Sequence, residues 1–161
     1  MTIPRVLSVL ATGAFAVLAV GSHAESFVAH VIKIQDGDTL TVLAGQQQIR
    51  IRLDGIDAPE RAQPFGSRAR QSLADICATK MASVDDHGKD RYGRTIGRVT
   101  CAGMDANAEQ VRRGMAWVFD RYVKTGSPLY ALQGQARDAK RGLWADPHAV
   151  PPWKWRAMKQ Q

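Results

Sequence analysis

The sequence predicts an α+β fold, a small five-stranded β-barrel with α-helices packed on its outside. Three observations carry that reading. Five short runs rich in Val, Ile, Leu and Phe are separated by turns built on Gly and Asp, as short strands are. One of them, Ile49-Arg50-Ile51-Arg52-Leu53, alternates apolar and charged residues, so one face meets a core and the other something polar. A stretch with helical apolar periodicity falls between the third and fourth runs, and a small barrel carries such a helix on its outside.

Taken in order, Phe27 to Ile34 is the first strand, and Asp36-Gly37 ends it. Thr39 to Leu43 is the second, Ala44-Gly45 turns the chain, and Gln47 to Leu53 is the third. Period two sets Arg50 and Arg52 opposite Ile49, Ile51 and Leu53, and does not decide which arginine serves a site. Asp54 to Gly66 reads as a loop, because Pro59 and Pro64 bar regular structure. Ser67 to Ala78 is a helix that Ser67 can cap, with Ala69, Leu73, Ile76 and Cys77 as its apolar face. Met81 to Val84 is the fourth strand, Asp85 to Gly93 a charged turn region, and Thr95 to Cys101 the fifth strand. Asn107 to Arg113 is a second helix stopped by Gly114. Met115 to Val123 is apolar and aromatic, and Thr125-Gly126-Ser127-Pro128 breaks the chain. Leu129 to Arg141 is a third helix ended by Gly142. Gly134 inside it costs about 1 kcal/mol relative to alanine.

The chain has 161 residues, enough for one domain with a core of its own. Twenty-two Lys and Arg against fifteen Asp and Glu leave a net charge of +7, which favours a polyanionic partner, nucleic acid before anionic membrane. Residues 1–24 read as an export signal. Arg5 is its positive end, the apolar run from Val6 to Val20 is short of the roughly 20 residues that span a bilayer, and Ser22-His23-Ala24 offers a cleavage site. The mature chain then begins at Glu25, without stable membrane insertion, in the periplasm or outside the cell. Residues 25–146 form the single domain and 147–161 a basic, aromatic tail. Under oxidising conditions Cys77 and Cys101 pair as one disulfide. With no His near either, they make no zinc site.

Four carboxylates, Asp36, Asp38, Asp57 and Glu60, lie with Arg52 near the ends of two strands. Carboxylates repel one another, so a fold that gathers them does so for a cation or for chemistry. The motifs Asp36-Gly-Asp-Thr39, Arg52-Leu-Asp-Gly-Ile-Asp-Ala-Pro-Glu60, Asp90-Arg-Tyr-Gly-Arg94, Asn107 with Val111-Arg-Arg-Gly114, and Gly142-Leu-Trp144 occur in that order. Together they resemble the staphylococcal nuclease (thermonuclease) family over roughly Phe27 to Trp144. The resemblance implies an OB-fold barrel with three helices and calcium-dependent phosphodiester hydrolysis of DNA and/or RNA by a monomer.

Position by position, it implies that Asp38 and Asp57 are calcium carboxylates. The Ala58 carbonyl is a third ligand, where the family's type member has threonine, and Asp36 reaches the ion through water. Arg52 and Arg94 bind phosphate, and Glu60 is the general base. Arg91, Tyr92 and Tyr122 contact the nucleic acid. The chemistry asks for these residue types: a hard cation polarises the phosphoryl oxygen, guanidinium forks grip phosphate oxygens, and a carboxylate takes the proton of the attacking water.

Other residues read differently. Trp117, Phe119 and Trp144 are core aromatics, and Asn107 is a helix cap or buried hydrogen-bonding residue. Asp120 stands where the type member has a pocket tyrosine, so substrate preference does not carry over. Gln133-Gly134 replaces a frequently acidic position. The short loop from Glu60 to Gly66 is expected to leave the cleft open. A non-catalytic nucleic-acid-binding module on the same fold is the alternative, but such a module lacks parts of the metal and arginine set that is complete here.

Overall fold

A computed structural model describes residues 26–160, so the export signal lies outside the described residues. Strands β1 (Ser26–Ile34), β2 (Thr39–Ala44) and β3 (Gln47–Leu53) form an antiparallel meander. The two-residue strand β4 (Ile56–Asp57) follows, then helix α1 (Gly66–Cys77), and strands β5 (Met81–Lys89) and β6 (Thr95–Cys101). Strand β7 (Met104–Asp105), helix α2 (Ala106–Arg112), strand β8 (Trp117–Val118), helix α3 (Pro128–Asp138) and helix α4 (Pro152–Met158) complete the order.

The large sheet runs β3-β2-β1-β5-β6-β7. It closes where β3 pairs in parallel with β6, Ile51 against Thr95 and Leu53 against Gly97. Strands β1, β2, β3, β5 and β6 are thus the five staves of the predicted OB-fold barrel. The alternation along β3 does what it predicted. Ile51 and Leu53 are buried with Val31, Leu40, Val42, Val84 and Val99, while Arg52 keeps the other face. Leu73 and Ile76 of α1 and Val111 of α2 close the core from outside.

Local differences have physical reasons. Strand β5 runs on to Lys89 through the segment expected to be a turn region, because its pairing with β6 continues past Asp86 through an irregularity in register. A solvated hairpin needs no apolar pattern. Helix α1 starts at Gly66, and Phe65, in a left-handed conformation, stands at its N-cap without a side-chain bond, so Ser67 is no cap. Helix α2 is capped by Asp105, whose side chain accepts from Ala108 N, and α3 ends at Asp138, three residues before the expected end.

Cys77 and Cys101 are joined by a disulfide, which ties the end of α1 to the end of β6. Three helices were expected. The fourth, α4, lies in the segment read as a tail and packs onto the domain: Trp153 stacks on Phe119, centroids 5.4 Å apart, and meets Trp117 edge-on at 6.0 Å.

Candidate active site

The turn between β1 and β2 carries Asp36 and Asp38. Its shape is imposed from below, since a Cβ on Gly37 would lie 2.6 Å from that of Ala69 and 2.7 Å from that of Ala58. Only glycine lets this turn lie so close to α1. The side chain of Gln110, fully buried in α2, donates to the Gly37 carbonyl at 2.6 Å and to that of Ala69 at 3.0 Å. Asp36 Oδ1 in turn accepts from Asp38 N at 3.1 Å. Asp38 is thereby aimed at the next loop, where its Oδ2 accepts from Ala58 N at 2.7 Å.

Arg52, at the end of β3, lies across both loops. Its Nη1 donates to the carbonyls of Leu53 and Ile56 and sits 3.1 Å from Asp38 Oδ2. Its Nη2 donates to Asp57 Oδ1 at 3.0 Å. Of the two arginines the alternation offered, Arg52 is the one in the site. Asp57 comes from β4, which is held against β8 and is 2% exposed. Asn107 steadies the base of the same loop. It donates to the carbonyls of Asp54 and Gly97 and accepts from Val99 N, so it is a buried tie and not a cap.

Glu60 stands at the head of a turn in which Gln63 N donates to its carbonyl and Gln63 Oε1 accepts from its N–H. A Cβ on Gly66 would meet the Glu60 carbonyl at 2.0 Å, so the chain folds back tightly here. This cleft is not left open. Gln63 Nε2 donates to the Val150 carbonyl at 2.6 Å, and α4 brings Arg156 onto the site. Arg156 Nη2 lies 2.8 Å from Asp57 Oδ2, and Nη1 lies 2.7 Å from Glu60 Oε1. The short loop exposes an edge that the following 147–158 segment covers.

The remaining predicted residues lie apart. Arg94 Nε donates to Asp90 Oδ2 at 2.8 Å in the β5–β6 hairpin, and among the described residues no hydrogen bond or ion pair joins it to Arg52, Asp57 or Glu60. Because Arg52 pairs with Ile96, two-residue alternation puts Arg94 on the same side of the sheet. Arg91 and Arg94 both lie over the ring of Tyr92, at 4.8 and 5.6 Å, and Tyr92 is 67% exposed. Tyr122 is also exposed and meets Phe119 edge-on at 5.1 Å. Asp120 accepts from the Tyr130 hydroxyl, and Gln133 Oε1 accepts from Val118 N, so the position where an acidic residue was expected ties α3 to β8.

Four carboxylates stand against two guanidinium groups, so the cluster keeps a formal excess of negative charge. Burial, and then the charge of Asp38, push the Asp36 carboxyl up to about 6. Burial also raises Asp57, against the opposing pull of the Arg156 hydrogen bond. Buried oxygen donors in negative excess, with no His or Cys among them, fit a hard divalent cation. Among the described residues no three His, Cys, Asp or Glu side chains converge on one point, so acidic side chains alone do not complete a cage.

Residues that sequence reasoning did not single out are Gln63, Gln110 and Arg156. The two glutamines gave no signal, since a buried amide has no periodic signature. Arg156 lay in plain view in a basic tail, but nothing local ties it to Asp57, 99 residues away.

A closed five-stranded barrel gathers carboxylates and an arginine on one rim of a basic protein, a combination suited to binding nucleic acid and acting on its phosphates. The family model described as staphylococcal nuclease homologue matches residues 50–146. The chain is 46% identical over 140 residues to a micrococcal nuclease of Shigella flexneri, covering 81% of this chain and 80% of that protein. It is 43% identical over 157 residues to Protein ParB of Escherichia coli, covering 91% and 89%, and 43% identical over 130 residues to an uncharacterized endonuclease of Escherichia coli O157:H7, covering 80% and 84%. The chain belongs to the staphylococcal nuclease family. It is a nuclease, a hydrolase of phosphodiester bonds whose substrate is nucleic acid. No helix among the described residues is long and apolar enough to cross a membrane.

Proposed function

We propose that this protein is an exported, monomeric, calcium-dependent nuclease that cleaves DNA and/or RNA with Glu60 as general base. The observation that supports it most is the Asp38–Arg52–Asp57 cluster, in which one guanidinium holds two carboxylates from separate loops. Asp38, Asp57 and the Ala58 carbonyl would hold the cation, with Asp36 behind them, and solvent or substrate oxygen would complete the shell. Calcium accepts such an irregular, oxygen-only cage more readily than magnesium, which demands a near-ideal octahedron. When bound, calcium polarises a phosphoryl oxygen and offsets its growing charge.

The chain's own residues do the rest. Glu60 takes the proton of the attacking water, a contribution of roughly 10²–10⁴-fold. Arg52 is already oriented by four oxygens, so it meets developing phosphate charge without reorganising. Arg94, with Arg91 and Tyr92, would supply a second phosphate and base contact from the β5–β6 hairpin, and the exposed Tyr122 a further surface for a base. Export by residues 1–24 accounts for the oxidised cysteine pair. The discriminating experiment follows acid-soluble nucleotide release from DNA and from RNA. Activity should vanish with a calcium-selective chelator, return with calcium, and return little with magnesium. Full activity in magnesium after rigorous calcium removal would overturn the calcium assignment.

A further inference from the structure

We propose that Arg156 is an intramolecular counter-cation, whose guanidinium pairs with Asp57 and Glu60 and competes with a divalent cation for Asp57. The inference rests on the reading above that Asp38 and Asp57 take the cation.

The Asp57 carboxylate is 2% exposed, and both of its oxygens are engaged. Oδ1 accepts from Arg52 at 3.0 Å, and Oδ2 accepts from Arg156 at 2.8 Å. Arg156 Nη1 is also 3.4 Å from Oδ1, so the guanidinium lies across the carboxylate and reaches Glu60 Oε1 at 2.7 Å. Each carboxylate oxygen has a second lone pair, so hydrogen bonds alone do not bar a cation. A divalent cation on Oδ2 would nonetheless lie beside the Arg156 guanidinium, and two positive charges so close repel and compete for the same carboxylate. Arg52 is poorly placed to leave: its side chain is 15% exposed and bonded to two backbone carbonyls besides the aspartates. The Arg156 side chain is 41% exposed, and among the described residues its hydrogen bonds and ion pairs go to these two acidic groups.

The helix that carries it is short and is docked through its proline and tryptophans. α4 has seven residues. Its first turn is anchored by the buried Pro152 and by Trp153 stacked on Phe119, while Arg156 extends from the following turn. Beside it, Trp155, Lys159 and Gln160 line a groove with Asp36, Glu60 and Arg61. The Arg156 side chain therefore has room to turn into that groove while the helix stays docked.

The energetic reason for such a residue is the desolvation of Asp57. A buried carboxylate left without a positive partner is strongly destabilising. A chain that folds before it meets its metal needs a cation of its own, and arginine keeps its charge at every relevant pH. The same contact then competes with the metal. Apparent affinity falls in proportion to the fraction of molecules whose site is open, so a latch closed in about nine molecules of ten weakens cation binding roughly tenfold.

The test is calorimetric titration of the mature chain, disulfide intact, with calcium chloride alone and no nucleotide. Arg156→Gln should bind calcium roughly tenfold more tightly than wild type. Arg61→Gln removes a like charge from the same groove without touching Asp57, and should change affinity by no more than about twofold, the scale of a screened charge. Equal or weaker binding by Arg156→Gln, or an equal gain from Arg61→Gln, would overturn the proposal. So would unchanged calcium affinity combined with weakened binding of a nucleoside 3′,5′-bisphosphate, which would make Arg156 a substrate arginine. Where Arg156→Gln fails to fold, Arg156→Lys decides: a point charge holds the carboxylate less firmly than the fork, so calcium binding should tighten, and equal or weaker binding overturns the idea. Absence of calcium binding in wild type would instead overturn the cation reading, and this inference with it.

Discussion

At the scale of single residues, the site depends on which oxygen each nitrogen meets. Glu60 is oriented by its backbone through Gln63, which leaves the carboxylate to pair with Arg156 and to accept a proton. Glu60→Gln should therefore lower turnover by roughly a hundredfold or more while DNA binding stays nearly intact. Single-turnover cleavage beside a binding titration measures both, and unchanged turnover would remove Glu60 from the role of base. Arg52 bonds four oxygens through two terminal nitrogens, a geometry that an ammonium group cannot copy. Arg52→Lys and Arg94→Lys should recover little of the activity lost in the alanine variants. Full recovery at both positions would show that charge alone suffices.

Elements carry the next set of consequences. Asp90 organises the β5–β6 hairpin that holds Arg94 and Tyr92: it accepts from Arg94 Nε and from the N–H groups of Arg94 and Tyr92. Burial by itself would raise its carboxyl, but these donors hold it below the usual 3.8. A carboxylate depressed in the fold stabilises at pH above its unfolded value, and that contribution is lost as pH falls through the lower folded value. Asp90→Asn should thus destabilise at neutral pH, and the thermal unfolding curves of variant and wild type should converge below about pH 4; a constant gap down to pH 2 would contradict this. In α3, a Cβ on Gly134 would meet nothing within 4 Å. Gly134→Ala should then stabilise the protein by up to about 1 kcal/mol through helix propensity alone, read as a rise in the denaturation midpoint. A loss would mean that the missing side chain matters for packing.

At the scale of the whole molecule, the disulfide and the barrel closure act together. Cys77 and Cys101 are 24 residues apart in sequence, and the chain-entropy model gives roughly 3 kcal/mol for closing a loop of that length. The paired serine variant should lose about that much in a denaturant titration, and a difference below about 1 kcal/mol would mean that the unfolded chain is not much restrained. Closure of β3 on β6 fixes one rim, and the whole site is assembled on it from the β1–β2 turn, the loop after β3 and α4.

The sequence by itself determined the barrel and most of its rim. Strand alternation, turn glycines and an amphipathic helix are local patterns, legible because a buried face needs apolar side chains at a fixed period. Asp36, Asp38, Arg52, Asp57 and Glu60 were legible because they sit in two short motifs that resemble those of a known nuclease family. The tertiary structure alone decided that Gln110 and Gln63 brace their turns and that Arg156 closes over Asp57 and Glu60. Those contacts join residues 73, 87 and 99 positions apart. No periodicity spans such distances; they arise only once the chain has packed and each buried polar group needs a partner.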